Sequence, residues 1–259
     1  MASVMEGRNV LVTGARNRWS IAWNAAVSLH REGARLAFSV YGEREETSVA
    51  KLLADAGITA PIIRCDAGDE TQVQELICQL SKVFDGKLHG MLHSMAMANK
   101  DELGGEYVAT SRDGFILAQD VSVYTLVTLT RACRPLLKPV GGSVVTLTYL
   151  GSERVAPNYN VMGVAKAALE ASVRYLASDL GPEGIRVNAV SAGPIKTLAA
   201  SAISDFDNMI KHVASRAPLQ RAVTAEEVGD AVMFLMSPWA SAITGEVLHV
   251  DGGYNVMAS

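Results

Sequence analysis

Seven short apolar runs alternate with longer amphipathic stretches along this chain, and that alternation leaves few folds open. The runs lie at 9–12, 35–40, 60–65, 88–93, 143–148, 186–190 and 246–250. They are rich in Val, Ile and Leu and lack the polar alternation of a half-exposed strand. Both faces must therefore be covered, as in a parallel sheet. Helices are expected between them at 20–32, 45–56, 70–83, 112–137, 159–180 and 225–236. Ser20 is a ready N-cap for the first, and Gly181-Pro182 halts the fifth because proline cannot continue a helix. This order reads as right-handed crossovers in one doubly wound parallel sheet, an α/β Rossmann-like fold of about seven strands with helices on both faces. No linker, repeat or low-complexity tract divides residues 1–259, so a single domain is expected.

Composition narrows the function by exclusion. A formal net charge of −4 without any basic run offers no footprint for nucleic acid. No apolar stretch reaches membrane-spanning length, and the first residues lack the zones of a secretory signal, so a cytoplasmic location away from membranes is expected. Cys65, Cys78 and Cys133 form no Cys-x-x-Cys pair and read as reduced thiols. The five histidines show no ligand spacing. His93 and His249 fall in apolar runs, where a hydrogen-bonded structural role is the commoner outcome, and no metal is expected.

In an open parallel sheet, ligands gather at the carboxyl ends of the strands. The first such end reads Gly14-Ala-Arg-Asn-Arg-Trp-Ser20-Ile21. A glycine there lets backbone pass close to a pyrophosphate, and the helix that follows favours negative charge at its start. The other two glycines of the usual dinucleotide fingerprint are replaced by Arg18 and Ser20, so Gly14 is either a cofactor contact or an ordinary turn glycine. After the second run, Glu43, Glu45 and Glu46 would repel a ribose 2′-phosphate, which favours NADH over NADPH; Arg44 argues the other way. Asp66, after the third run, is an acceptor for an adenine amino group or a helix N-cap, and both roles are compatible. Ser94, after the fourth, is a small residue against which ribose and nicotinamide can lie.

The strongest local signal is Tyr159-Asn-Val-Met-Gly-Val-Ala-Lys166. Seven residues return almost to the same face of a helix, about two turns on. A lysine there can grip the nicotinamide ribose, and its charge favours phenolate character in the tyrosine. The tyrosine hydroxyl can serve oxygen that becomes negative during hydride transfer. Tyr149 supplies a second hydroxyl at the same strand end. Downstream, the backbone of Pro194 and Ile195 and the hydroxyl of Thr197 suit a nicotinamide amide and a phosphate oxygen, unless Gly193-Pro194 is only a turn.

Together with Thr148-Tyr149-Leu150-Gly151 and Ser191-Ala-Gly-Pro-Ile-x-Thr-Leu198, these motifs closely resemble the bacterial NADH-dependent enoyl-acyl-carrier-protein reductases, a family within the short-chain dehydrogenases. The likeness runs through His249-Val-Asp-Gly-Gly253 and covers nearly the whole chain. Most short-chain dehydrogenases place the lysine four residues after the tyrosine, where this chain has Gly163. The resemblance implies transfer of hydride from NADH to C3 of a trans-2-enoyl thioester, the last step of the fatty-acid elongation cycle. It assigns Tyr159, Lys166 and Tyr149 to catalysis, and Gly14, Ser20, Ile21, Asp66, Ser94, Lys166, Pro194, Ile195 and Thr197 to the cofactor. Ala98, Tyr149, Tyr159, Ala199, Phe206 and Met209 fall to the substrate, with 198–210 as a mobile loop covering it. A homotetramer and an acyl-carrier-protein thioester are implied as well. Three departures bear on this: Arg16 in the glycine loop, Ala96-Met97 near the nicotinamide, and the acidic Asp205 and Asp207 where some members carry basic residues that dock the carrier. A coenzyme A thioester, or docking through Arg216 and Arg221, therefore stays open. A ketoacyl or carbonyl reductase of the same fold and a catalytically silent NAD-binding sensor are the alternative readings.

Overall fold

The computed structural model describes residues 3–197 and 205–258. Seven strands form one parallel sheet: β1 (Asn9–Thr13), β2 (Arg35–Val40), β3 (Ile62–Arg64), β4 (Gly90–His93), β5 (Ser143–Thr148), β6 (Arg186–Ala192) and β7 (Val247–Val250), in the spatial order β3-β2-β1-β4-β5-β6-β7. The strand order reverses between β1 and β4, the topological switch at which such sheets open a crevice. Successive strand residues supply opposite faces. Val10, Val12, Val190 and Ala192 enter one core, with α1 (Ile21–Arg31), α2 (Glu43–Ala56) and α8 (Ala225–Met236). Leu11, Val187 and Ala189 enter the other, with α3 (Glu70–Val83), α5 (Thr125–Leu137) and α6 (Asn160–Leu180). Sheet edges and helix ends are set by local chemistry. Ser20 caps α1, accepting from the Trp23 N–H, and Thr224 with Glu227 closes a capping box on α8. Gly229 lets α8 approach the α1 backbone, since a Cβ there would stand 2.8 Å from Ala25 N.

Two expectations are corrected. The helix expected at 112–137 is α4 (Arg112–Gln119) and α5, separated by a π-helical turn, Asp120–Tyr124. That turn aims Ser122 at the Met97 N–H, 3.1 Å away, and Thr125 at His93, so two buried polar needs outweigh regular helix. The loop expected to run to 210 ends at Asp205, because Phe206–Arg216 forms helix α7. Phe206, Met209, Ile210 and Val213 have the spacing of one helical stripe, which the reading of Phe206 and Met209 as acyl contacts in a loop passed over. Residues 198–204 lie outside the described residues. No described helix is long and apolar enough to cross a membrane. Cys65 and Cys133 are buried free thiols, and Cys78 is an exposed one.

Gly14 joins the two central strand ends. Its φ is +77°, and a Cβ would fall 1.8 Å from the Ser94 carbonyl oxygen. Gly57 has a similar φ of +66° but open space around it. Gly14→Ala should therefore cost both left-handed strain, of order 1–3 kcal/mol, and a backbone clash, whereas Gly57→Ala should cost the strain alone. Thermal denaturation of the two variants checks this: equal drops in Tm would remove the close approach as the reason for Gly14.

Candidate active site

The crevice is built on the end of β5, where three consecutive residues each meet a different group of α6 or its start. The Leu147 carbonyl accepts from the Lys166 ammonium at 2.9 Å. The Thr148 hydroxyl donates to Glu170 at 2.6 Å. The Tyr149 ring lies edge-on to that of Tyr159, with centroids 5.1 Å apart and planes at 77°. Tyr159 stands at the N-cap of α6 and Lys166 two turns along, so the expected common face holds.

Two glycines permit this packing. A Cβ on Gly151 would press 2.6 Å from Tyr159 Cδ1, and one on Gly163 would lie 2.8 Å from the Gly151 carbonyl oxygen. Position 163, where most short-chain dehydrogenases carry their lysine, thus has no room for a side chain. Its place is where α6 presses against the turn at Leu150–Ser152.

Loss of water around the hydroxyls governs the electrostatics. Burial pushes Tyr149 up to about 12 and raises Tyr159 further still; the neighbouring Tyr149 and Glu170 add to the Tyr159 shift. Both phenols are therefore protonated in the neutral range. The Lys166 ammonium, on which phenolate character would depend, donates to Leu147, while burial, Tyr149 and Glu170 all push the Tyr159 hydroxyl toward its protonated form. Burial also pushes Lys166 down to about 8, against the opposing charge of Glu170. His93, just across at the end of β4, is held near 3 by burial first and by the Lys166 charge second. Its two ring nitrogens lie 2.9 Å from the hydroxyls of Thr146 and Thr125, a structural histidine satisfied on both sides.

The sequence-predicted cofactor residues line the carboxyl ends of β1, β3, β4 and β6. The Ser94 N–H donates to Thr13 Oγ1, tying the β4 end to the β1 end next to Gly14. The first turn of α1 carries no acidic side chain, and the Ile21 side chain packs into the core, leaving backbone toward the loop. Asp66 is not the cap of α3; Asp69 is, accepting from the Thr71 and Gln72 N–H groups. One Asp66 oxygen receives the Gly68 N–H at 2.9 Å. Pro194 is buried, Ile195 packs against the core and Thr197 is half-buried. Arg16 does not face the glycine loop interior but pairs with Glu45 of α2 at 3.0 Å, and Glu46 pairs with Arg64. Two of the three carboxylates expected to repel a 2′-phosphate are thereby partly neutralised.

On the substrate side, the Tyr149 hydroxyl donates to the Met209 sulfur at 3.6 Å, bringing α7 over the crevice. Ala98 and Tyr159 pack against one small cluster of Leu103, Ala118, Val161, Met162 and Ala165. Phe206 is half-buried at the start of α7, and Ala199 lies outside the described residues. Sequence reasoning passed over Glu170, although a carboxylate four residues after Lys166 on a buried helix face was a usable signal.

The arrangement fits a nicotinamide dinucleotide. Glycine backbone and an uncharged helix start face the phosphate position, and the Lys166 ammonium has three donors but meets Leu147 as its acceptor among the described residues. The family model described as enoyl-(acyl carrier protein) reductase matches residues 14–255. The chain is 52% identical over 255 residues to the enoyl-acyl-carrier-protein reductase (NADH) of Bacillus subtilis, covering 98% of each chain. It is 46% identical to that of Escherichia coli, covering 98% of this chain and 96% of the other. The crystal structure of the Bacillus cereus enoyl-acyl carrier protein reductase with NADP+ and indole naphthyridinone superposes with a TM-score of 0.96 at 46% identity, over 99% of this chain and 100% of that one.

Gly163→Ala is expected to leave helix content intact, since alanine is the better helix former by about 0.5–1 kcal/mol. Its Cβ must nonetheless push α6 off Gly151 and shift Tyr159 relative to Tyr149. Turnover should fall about tenfold to a hundredfold, read from steady-state kinetics beside circular dichroism. Undiminished turnover would show that the Gly151–Gly163 contact does not position the tyrosine.

Proposed function

The chain belongs to the enoyl-acyl-carrier-protein reductase family, and from that membership we propose that it reduces the C2–C3 double bond of a trans-2-enoyl thioester with NADH. The observation that carries the residue assignment is the gathering of two tyrosine rings in edge-on contact and one buried lysine at the end of β5. NADH would supply the hydride that C3 receives, and the enolate left behind takes a proton at C2 from solvent to complete the reduction. Tyr159 donates a hydrogen bond to the thioester oxygen as negative charge develops there, in a site whose dryness strengthens the contact. A phenol held protonated is suited to that task across neutral pH. Tyr149, edge-on to Tyr159, fixes its ring and offers a second donor toward the thioester. Lys166 binds the nicotinamide ribose, and Gly14, Ser20, Ile21, Ser94, Pro194, Ile195 and Thr197 bind the rest of the dinucleotide, with Asp66 at the adenine. Ala98, Phe206 and Met209 contact the acyl chain, and the apolar side of α7 excludes water from the hydride step.

The substrate is carried on acyl carrier protein, as the relatives' names state of them. Lys196 is paired with Asp207, and Arg221 with Glu227. Lys211 and Arg216 on α7 are exposed basic groups that make no ion pair among the described residues, and they are the favoured contacts for an acidic carrier. Residues 1–259 act as one short-chain dehydrogenase/reductase domain in the cytoplasm. A homotetramer is supported by exposed apolar side chains on the outer face of α4 to α6, where Ile116 is 50%, Tyr124 51% and Tyr175 76% exposed.

NADH oxidation with a trans-2-enoyl thioester, offered on carrier protein and on coenzyme A, tests the reading. Tyr159→Phe should lower kcat by about a hundredfold or more while NADH affinity stays near wild type. Lys166→Met should weaken NADH binding itself. NADH should be used in preference to NADPH. Turnover of a ketoacyl but not an enoyl thioester would replace the assignment with a carbonyl reductase, and NADH binding without any turnover would replace it with a sensor.

A further inference from the structure

Lys166 is not the only charged side chain sealed beneath the crevice. Glu170, one helical turn on, is 6% exposed, as is Lys166 itself. Its Oε1 accepts from the Thr148 hydroxyl at 2.6 Å, the length of a bond to an ionised carboxylate. No step of the proposed reaction uses this carboxylate, and a buried charge without a task costs stability unless it is matched. It stands on the helix face that carries Lys166, and its hydroxyl partner comes from the strand residue next to the Lys166 acceptor Leu147. We propose that Glu170, fixed by Thr148, is a positioning residue that keeps the Lys166 ammonium charged and aimed at the cofactor ribose. The inference rests on the reading that Lys166 binds the cofactor.

The neighbours leave this role to Glu170. From β4 the facing group is His93, which is uncharged, bonded to Thr146 and Thr125 and unable to pair with an ammonium. From the β5 end and the start of α6 come Tyr149 and Tyr159, both protonated. Burial pulls Lys166 toward the neutral amine, and the Glu170 charge pulls it back. The ammonium is present below its pKa and lost as pH rises through it. Removing Glu170 lowers that pKa, so cofactor binding should fail at a lower pH.

The test is NADH affinity, read by fluorescence titration and by KM, from neutral to alkaline pH in the intact protein. Glu170→Gln should move the alkaline loss of affinity down by about one pH unit or more, with kcat at the acid end changed less than KM. Glu170→Asp should restore part of the shift, and Thr148→Val should move the profile the same way by a smaller amount. Lys166→Met should bind NADH weakly at every pH. If Lys166→Met binds weakly while folded Glu170→Gln keeps the wild-type profile, the role of Glu170 is overturned and the cofactor reading stands. If Lys166→Met binds NADH as well as wild type, the cofactor reading itself fails. Should Glu170→Gln not fold, Thr148→Val decides: an unmoved profile overturns the proposal.

Discussion

A lysine ammonium shut inside a protein must be met by acceptors, and much of this molecule is arranged around that need at Lys166. Desolvation favours the neutral amine. The Leu147 carbonyl accepts one of its N–H hydrogen bonds, and Glu170 supplies opposing charge from the same helix. The Leu147 contact, and the Thr148 hydrogen bond that fixes Glu170, require α6 to lie hard against the end of β5. That approach is possible because Gly151 and Gly163 carry no Cβ at the point of contact. Had either been alanine, the helix would stand off, and the tyrosine pair would separate along with the lysine anchor. One electrostatic requirement is thus translated into a packing requirement at two glycines.

The polar interior extends beyond the lysine. His93 could add a second positive charge beside Lys166, but it is held neutral by burial and shared between two threonine hydroxyls. Thr125 reaches it from the first residue of α5, directly after the π-helical turn, and the turn itself presents Ser122 to the backbone of Met97. A turn of irregular helix therefore does two things at once: it satisfies a buried imidazole, and it fixes the strand-end segment that lies along one wall of the crevice. Such local irregularity commonly marks functional ground.

Beyond the ends of β1 to β3 the charges are balanced rather than concentrated. Arg16, an unusual residue for the glycine loop, is tied to Glu45, and Arg64 to Glu46. These pairs are solvent-exposed, so each contributes little to stability. Their consequence is electrostatic: the charges of Arg16, Glu45, Glu46 and Arg64 largely cancel at the carboxyl ends of β1 to β3.

The chain's own pattern determined the architecture. Both-face-apolar runs alternating with amphipathic stretches can bury their surfaces only in a covered parallel sheet, and the strand and helix positions followed to within a few residues at their ends. It determined as well that Tyr159 and Lys166 share a face, because helical periodicity depends on spacing alone. Three things were beyond it. Helix α7 was concealed because its apolar residues read equally well as a helical packing stripe and as the lining of an acyl-binding loop. The state of the Tyr159 proton depends on how much water reaches it, which is a property of neighbours distant in sequence. The pairing of Glu170 with Thr148, and of Arg16 with Glu45, joins residues 22 and 29 apart. Local periodicity carries no information about such partners; only the folded sheet, by bringing strand ends together at fixed distances, decides which charges meet and which protons stay.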